Sequence, residues 1–294
     1  MSKIVIAMSF GIALLLGMAS SEAIAETKQS ESVSWVERVE FKGDMRYRHE
    51  SFYVEDTQDR NRHRVRIRVG FSARVNETVK VGFQMASGSD DPVSTNQSLD
   101  GGFSSKNLMI DIAYFDWRPH NFSRVKIIGG KMKNPFFRAG KSELVWDSDL
   151  RPEGGVITYS KTQGDWALFA NLGGFWIEER SGGADTGLLG AQAGLKRSFE
   201  SGHFLVGGSY YDYTNIKDQA PIFDATDPFG NSIDANGNYR FDYDVFETFA
   251  EVGFKVAGMP ISLYGDYAQN LASKAEENQG WLVGSTIGKC KAPH

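Results

Sequence analysis

The chain has 294 residues and a net charge of −5, from 32 Lys+Arg against 37 Asp+Glu, a length that suits one large domain or two of ordinary size. Without a basic excess it lacks the electrostatic footprint of a nucleic-acid binder. Its single cysteine, Cys290, excludes an internal disulfide and a thiolate metal cluster.

The N-terminus reads as a secretory signal over residues 1–25. Lys3 supplies the positive start, residues 4–19 are apolar, and Ala23-Ile24-Ala25 gives a small-x-small cleavage pattern. No later apolar run is long enough for a membrane helix, so a mature chain that enters a membrane must do so with strands. Residues 26–37 are expected to form a short periplasmic segment and residues 38–294 a single β domain.

A two-residue period then runs through the chain. In 38–49, Val39, Phe41, Gly43, Met45 and Tyr47 alternate with Glu40, Lys42, Asp44, Arg46 and Arg48. In 60–75, Arg60, Arg62, Arg64, Arg66, Arg68 and Arg74 share one parity, and Val65, Ile67, Val69 and Phe71 the other. Residues 79–87, 166–172, 189–195 and 245–255 alternate in the same way. Helices would repeat every three to four residues, so these are half-buried strands. Connections alternate strictly in length. Short turns fall at 76–78, 118–124, 162–165, 200–202 and 257–260; long ones fall at 50–59, 88–106, 134–153, 177–186, 214–239 and 270–279. This gives about twelve antiparallel strands with one trimmed end and one decorated end, the arrangement of short periplasmic turns and long outer loops. Several strands reach about ten residues, as a tilted membrane strand needs, against five or six in globular sheets. Aromatic residues such as Tyr114, Trp117, Trp166, Trp176, Tyr210 and Trp281 gather near strand ends, as interfacial girdles do.

The expected fold is therefore an all-β, transmembrane, antiparallel up-and-down β-barrel. Val65, Ile67, Val69 and Phe71 would face acyl chains. The arginines would face a wet lumen, since each would cost about 2–4 kcal/mol pointed at lipid near the midplane. Same-face residues lie roughly 6.8 Å apart, so Arg60 to Arg68 covers roughly 27 Å, nearly the apolar thickness. Such a ladder attracts anions, pairs with acids such as Glu40 and Asp44 on the neighbouring strand, or does both. A secreted, soluble β-sandwich that binds carbohydrate or a partner would alternate similarly, with its apolar parity buried instead.

Taken together, "FKGDMRYRHE", the arginine strand, "AYFDWRP", "GGKMKNPF" and "LVWDSDLRPEGG" resemble the putative-porin group of Gram-negative bacteria, akin to phosphate-selective and general outer-membrane porins. The resemblance runs from about residue 35 to the end. It implies an outer-membrane location, a wide barrel of 16 strands, a homotrimer set in lipid and lipopolysaccharide, and passive diffusion of small hydrophilic solutes, anions among them. Such barrels usually end on an aromatic residue, whereas this sequence ends Lys291-Ala292-Pro293-His294. The expectation is a barrel truncated at its C-terminus, with a last strand over 281–290 and a free edge there or on 38–49; hydrogen bonding between those two strands would instead mean a closed twelve-stranded barrel.

Enzyme chemistry finds little support. His49, His63, His120, His203 and His294 show no paired spacing, and no H-E-x-x-H, P-loop or G-x-S-x-G motif is present. A barrel phospholipase would need a Ser–His pair at the outer rim; His49 or His63 could sit there, but nothing in the sequence marks a serine partner. The Asp- and Asn-rich stretch 224–239 misses calcium-loop spacing, and its one metal contact would be a divalent ion bridging Asp227 or Asp234 to lipopolysaccharide. No resident metal and no cofactor are expected. The pore-lining candidates are Arg62, Arg64, Arg66, Arg68, Arg74, Lys131 and Lys133. The segment 134–153 carries Phe136, Phe137, Leu144, Val145 and Trp146, which a solvent-bathed loop has little need of. It is expected to fold inward as a constriction, presenting Glu143, Asp147, Asp149 and Glu153 to the arginines.

Overall fold

The computed structural model describes residues 35–272 and 277–288. The signal segment 1–25, Cys290 and the last four residues lie outside the described residues. A short 3-10 helix at Trp35–Arg38 leads into one antiparallel sheet of thirteen strands. The path begins with β1 (Val39–Phe52), β2 (Arg60–Arg74) and β3 (Val79–Ser87). The two-residue β4 (Gln97–Ser98) lies off the path and pairs with β2. Then follow β5 (Leu108–Trp117), β6 (Val125–Lys131), β7 (Glu153–Gln163), β8 (Trp166–Glu178) and β9 (Thr186–Phe199). The sheet finishes with β10 (Gly202–Thr214), β11 (Tyr243–Val256), β12 (Met259–Asn270) and β13 (Gln279–Ile287). Each strand on the path pairs with its sequence neighbours, β4 aside, in up-and-down order. Among the described residues β1 pairs only with β2, and β13 only with β12, so the sheet is open between them. Among the described residues the sheet does not close into a twelve-stranded barrel.

The two faces explain the alternation. Ile67 is 41% exposed, Val69 51%, Leu172 62% and Leu189 56%, while Glu247 is 1% exposed and Gln192 4%. A sandwich would reverse these values. Apolar side chains cover the outside, which is untenable in water over so large an area and natural in lipid. The aromatic rims are present as well: Trp117, Trp166 and Phe199 stand exposed at the short-turn end, and Trp176 and Trp281 toward the long-loop end. Arg197 stacks on Trp166 from the neighbouring strand at 5.2 Å, covering one ring of the lower girdle with a cation that reaches toward the headgroups.

The inner face holds the core. Its largest cluster sets Phe136 and Trp146, from the β6–β7 loop, against Phe175 of β8, Leu188 of β9 and Tyr211 of β10. A second cluster packs Phe137 and Ala139 of the same loop on Phe169, Leu205, Phe249 and Tyr264. The loop between Lys131 and Glu153 therefore lies inside the curved sheet rather than above it.

Candidate functional site: the inner wall and the loop across it

The register of β1 and β2 builds one side of the lumen. Asp44 stands opposite Arg68, Arg46 opposite Arg66, Arg48 opposite Arg64, and Glu50 opposite Arg62. The outward parity carries Met45, Tyr47 and Val65, so all these charges share the inner face. Asp44 accepts from Arg66 at 2.8 Å and from Arg68 at 2.7 Å. Glu50 is clasped by both Arg48 and Arg62. Arg64 donates to Ser94 Oγ at 3.2 Å and to the carbonyl of Asn96 at 3.0 Å, and Arg46 reaches the Asn96 side chain. The loop after β3 thus reaches over the upper part of the ladder, and β4 adds to β2 at Arg64 and Val65. Two acids serve six arginines, which leaves the wall strongly positive.

Arg74 lies beyond this group, exposed at the short-turn end opposite Lys80. Lys133 lines a cavity of about 700 Å³ that extends to the turn after β5. Lys42, Lys80, Arg118, Arg124 and Lys126 line it too, with Asp116 as the acid among them. Lys131 sits apart from that group: it faces Glu153 across the β6–β7 ladder and bonds to it at 2.5 Å.

The opposite wall, β8 to β12, grips the loop through its backbone. Gln192 acts as a two-point clamp: its Oε1 accepts the Phe137 N–H at 2.7 Å and its Nε2 donates to the Phe137 carbonyl at 2.9 Å. Glu251 accepts the Gly140 N–H at 2.8 Å and is steadied by His203 at 3.1 Å. Ser142 lies against Asp266. Gly140 has φ 56°, and a Cβ there would stand 2.2 Å from the Tyr264 ring; only glycine meets both conditions. Gly190 supplies the matching hollow in β9, where a Cβ would come within 2.5 Å of Phe136. The loop's exit is tied by Arg151, whose guanidinium lies 3.2 Å from Asp111. Both side chains are buried. A β-bulge at Gln84/Met85 in the pairing of β3 with β5 turns Asp111 toward the interior, where Gln84 also bonds it.

The loop's acids are held within the loop itself, Glu143 by Ser148 and Arg138 and Asp149 beside Arg151. Glu143 is exposed, and hydrogen bonds from Ser148, then the nearby Arg138, hold its carboxyl below the usual range. Asp147 Oδ1 accepts the Asp149 N–H at 2.6 Å and shapes the local turn. Asp149 stands near enough to Arg46 for their opposite charges to interact. A second cavity, of about 850 Å³, lies on the long-loop side and is lined by Asp90, Asp91, Asp111, Asp149, Glu153 and Glu178. Residues 132–135 and Phe137 of the loop line the lower cavity and residues 149–152 the upper one. The lower chamber is basic and the upper one predominantly acidic.

Arg46 and Arg48 extend the ladder onto β1, and they carry the same two-residue period as their partners in β2. Glu247 and Glu251 share the inward parity of β11, whose alternation marks the face but not the loop they meet; Gln192 and Asp266 are lone inward polar residues in the middle of β9 and β12 and carry no such signal. The outer face also holds a serine partner that the sequence does not mark. Ser51 Oγ lies 2.9 Å from His49 Nε2, but Ser51 donates its own proton to Asn61 Oδ1 at 2.7 Å.

An inside-out β-sheet with a polar interior and an inward-folded loop defines an outer-membrane β-barrel protein. A family profile described as Putative porin matches residues 50–236, and the chain belongs to that family; its place is the outer membrane of a Gram-negative bacterium. No curated protein matches the sequence significantly. Among solved structures, a loop L8 deletion mutant of OmpT, an outer membrane protein of Vibrio cholerae, is similar at 13% identity and a TM-score of 0.48, over 86% of this chain and 77% of that one. The in-vitro folded trimer form of the same OmpT is similar at 14% identity and a TM-score of 0.47, over 86% and 73%. OmpF of Salmonella typhi, in complex with daunomycin, is similar at 8% identity and a TM-score of 0.44, over 84% and 85%.

Proposed function

We propose that this chain acts as a passive channel for small hydrophilic solutes, without enzymatic activity and with a preference for anions. The observation that carries the reading is the β1–β2 wall. Six arginines line it against two acids, and Asp149 of the β6–β7 loop stands near enough to Arg46 for their opposite charges to interact. Opposed charges inside low-dielectric walls set up a transverse field that orients and sorts permeating ions. The basic lower chamber extends the anion preference beyond the constriction. In this reading Arg62, Arg64, Arg66, Arg68 and Lys133 border the path, Arg74 marks its short-turn mouth, and Glu143, Asp147 and Asp149 form its narrow point. Lys131 and Glu153 neutralise each other at the rim. The barrel works as a homotrimer among outer-membrane lipid and lipopolysaccharide, an assembly carried over from the family resemblance.

The Ser51–His49 contact does not support hydrolysis. Because the Ser51 hydroxyl donates to Asn61 Oδ1, His49 Nε2 must be the donor toward Ser51, so it cannot act as the base that activates a serine. The discriminating experiment is a reversal-potential measurement in planar bilayers. Replacing Arg66 and Arg68 by Glu takes the wall from an excess of four positive charges to none and removes both partners of Asp44. Selectivity should move toward cations with insertion unchanged. An unaltered reversal potential would take these arginines out of the permeation path.

A further inference from the structure

On the outer face, near the long-loop end of β1 and β2, His49 and His63 stand directly opposite each other. Both are exposed. Their rings lie 4.6 Å apart between centroids, and His49 Nδ1 is 3.3 Å from His63 Nε2. The two remaining ring nitrogens each have an oxygen partner: His49 Nε2 has Ser51 Oγ at 2.9 Å, and His63 Nδ1 has Tyr47 Oη at 2.6 Å. We infer that His49 and His63 form a two-imidazole site for a divalent transition-metal ion of the Zn2+ or Cu2+ class.

Three features point the same way. The first is spacing. Two nitrogens bound at about 2.0–2.1 Å to one tetrahedral ion stand roughly 3.3–3.4 Å apart, the separation found here without a metal. The second is tautomer. Ser51 donates to Asn61, so His49 Nε2 must donate to Ser51, which leaves the lone pair of His49 on Nδ1, facing His63. The third is outer support. A ligating histidine normally gives its other N–H to an oxygen, which fixes the ring. Ser51 does this for His49, and Tyr47 is placed to do it for His63.

The protons balance. Before binding, the Tyr47 hydroxyl donates to His63 Nδ1, and His63 Nε2–H donates to His49 Nδ1. On binding, the His63 proton passes from Nε2 to Nδ1, the Tyr47 hydroxyl turns from donor to acceptor, and the ion takes the two lone pairs. No proton is released when both imidazoles begin neutral. Among the described residues no group of three or more His, Cys, Asp or Glu gathers around a common point, so solvent fills the other positions. The neighbouring Glu50 faces inward and is held by Arg48 and Arg62. Imidazole ligands without carboxylates favour Zn2+ and Cu2+ over Mg2+ or Ca2+.

The test uses the full chain, folded in detergent, with heat-modifiable gel mobility as the check on folding. Titrating Zn2+ by calorimetry should give one ion per chain, and Cu2+ should show coupling to two nitrogens in its electron paramagnetic resonance spectrum. His49→Ala and His63→Ala should each weaken binding at least tenfold and reduce the coupling to one nitrogen. Tyr47→Phe should weaken it by about tenfold through loss of outer support. The double variant His49→Ala/His63→Ala gives the background from the other histidines. Wild-type affinity equal to that background overturns the site. So do single variants that each keep wild-type affinity, because the imidazoles would then bind separately or not at all.

Discussion

Replacing Gln192 by Leu keeps the volume of the side chain but removes the clamp on the β6–β7 loop. Four groups lose a partner: the Ser209 hydroxyl, which keeps its bond to Glu247, and three that are left with none, namely the Phe137 N–H, the Phe137 carbonyl, and the Asn171 side-chain amide, which donates to Gln192 at 3.1 Å. A buried polar group left without a partner costs about 1–3 kcal/mol, so the docked state loses roughly 3–9 kcal/mol. Against this stand the three aromatic anchors. Burying Phe136, Phe137 and Trp146 contributes about 1.5–3 kcal/mol each, or roughly 4–9 kcal/mol together. The two ranges overlap, so the undocked loop, whose polar groups return to water, should become a populated state. Two assays read it. Single-channel recordings should show larger mean conductance with added flicker as the loop leaves the passage. Trypsin should cleave after Arg138 or Lys141 in the folded variant while sparing the wild type. Wild-type conductance combined with wild-type protease resistance would refute the view that this clamp holds the loop.

Neutralising the loop acids together, Glu143→Gln, Asp147→Asn and Asp149→Asn, should raise the anion preference and change conductance, as read from reversal potential and current amplitude. Unchanged values of both would move the narrowest point elsewhere. Ile67→Arg, on the outward parity of β2, should cost about 2–4 kcal/mol near the midplane and lower the yield of heat-modifiable, membrane-inserted protein. Gly140→Ala should dislodge the 139–141 turn from Tyr264 and weaken the hydrogen bond to Glu251, giving a milder form of the Gln192→Leu phenotype in the same recordings.

The strands were legible because their two-residue period is a direct consequence of a sheet with two unlike solvents. Arg62 to Arg68 and Val65 to Phe71 separate cleanly for that reason. Phe136, Phe137 and Trp146 marked the loop as something other than a solvent-bathed connection, since so much aromatic surface needs a wall. What the wall offers in return could not be read. Gln192 and Glu251 lie 55 and 111 residues from the loop groups they bond, and which side chains meet depends on sheet curvature, which no local pattern encodes. The same holds for His49 and His63. Their meeting requires the exact β1–β2 register, and shifting it by one residue would send the two rings to opposite faces. Lys131 and Glu153 read as free charges until that same kind of register set them against each other.

The up-and-down order of the strands also imposes a timetable. Every ladder on the main path joins sequence neighbours, so most pairings close short loops and can form hairpin by hairpin. The β6–β7 loop is different: its anchors lie on β9, β11 and β12, and such contacts must wait until the intervening chain has closed. The wall is therefore assembled before the loop settles on it. During that interval Phe136 and Phe137 stand uncovered. A chaperone that shields aromatic surface, or a protease that reads the basic residues beside it, meets this chain at that stage and loses access once Gln192 closes on Phe137.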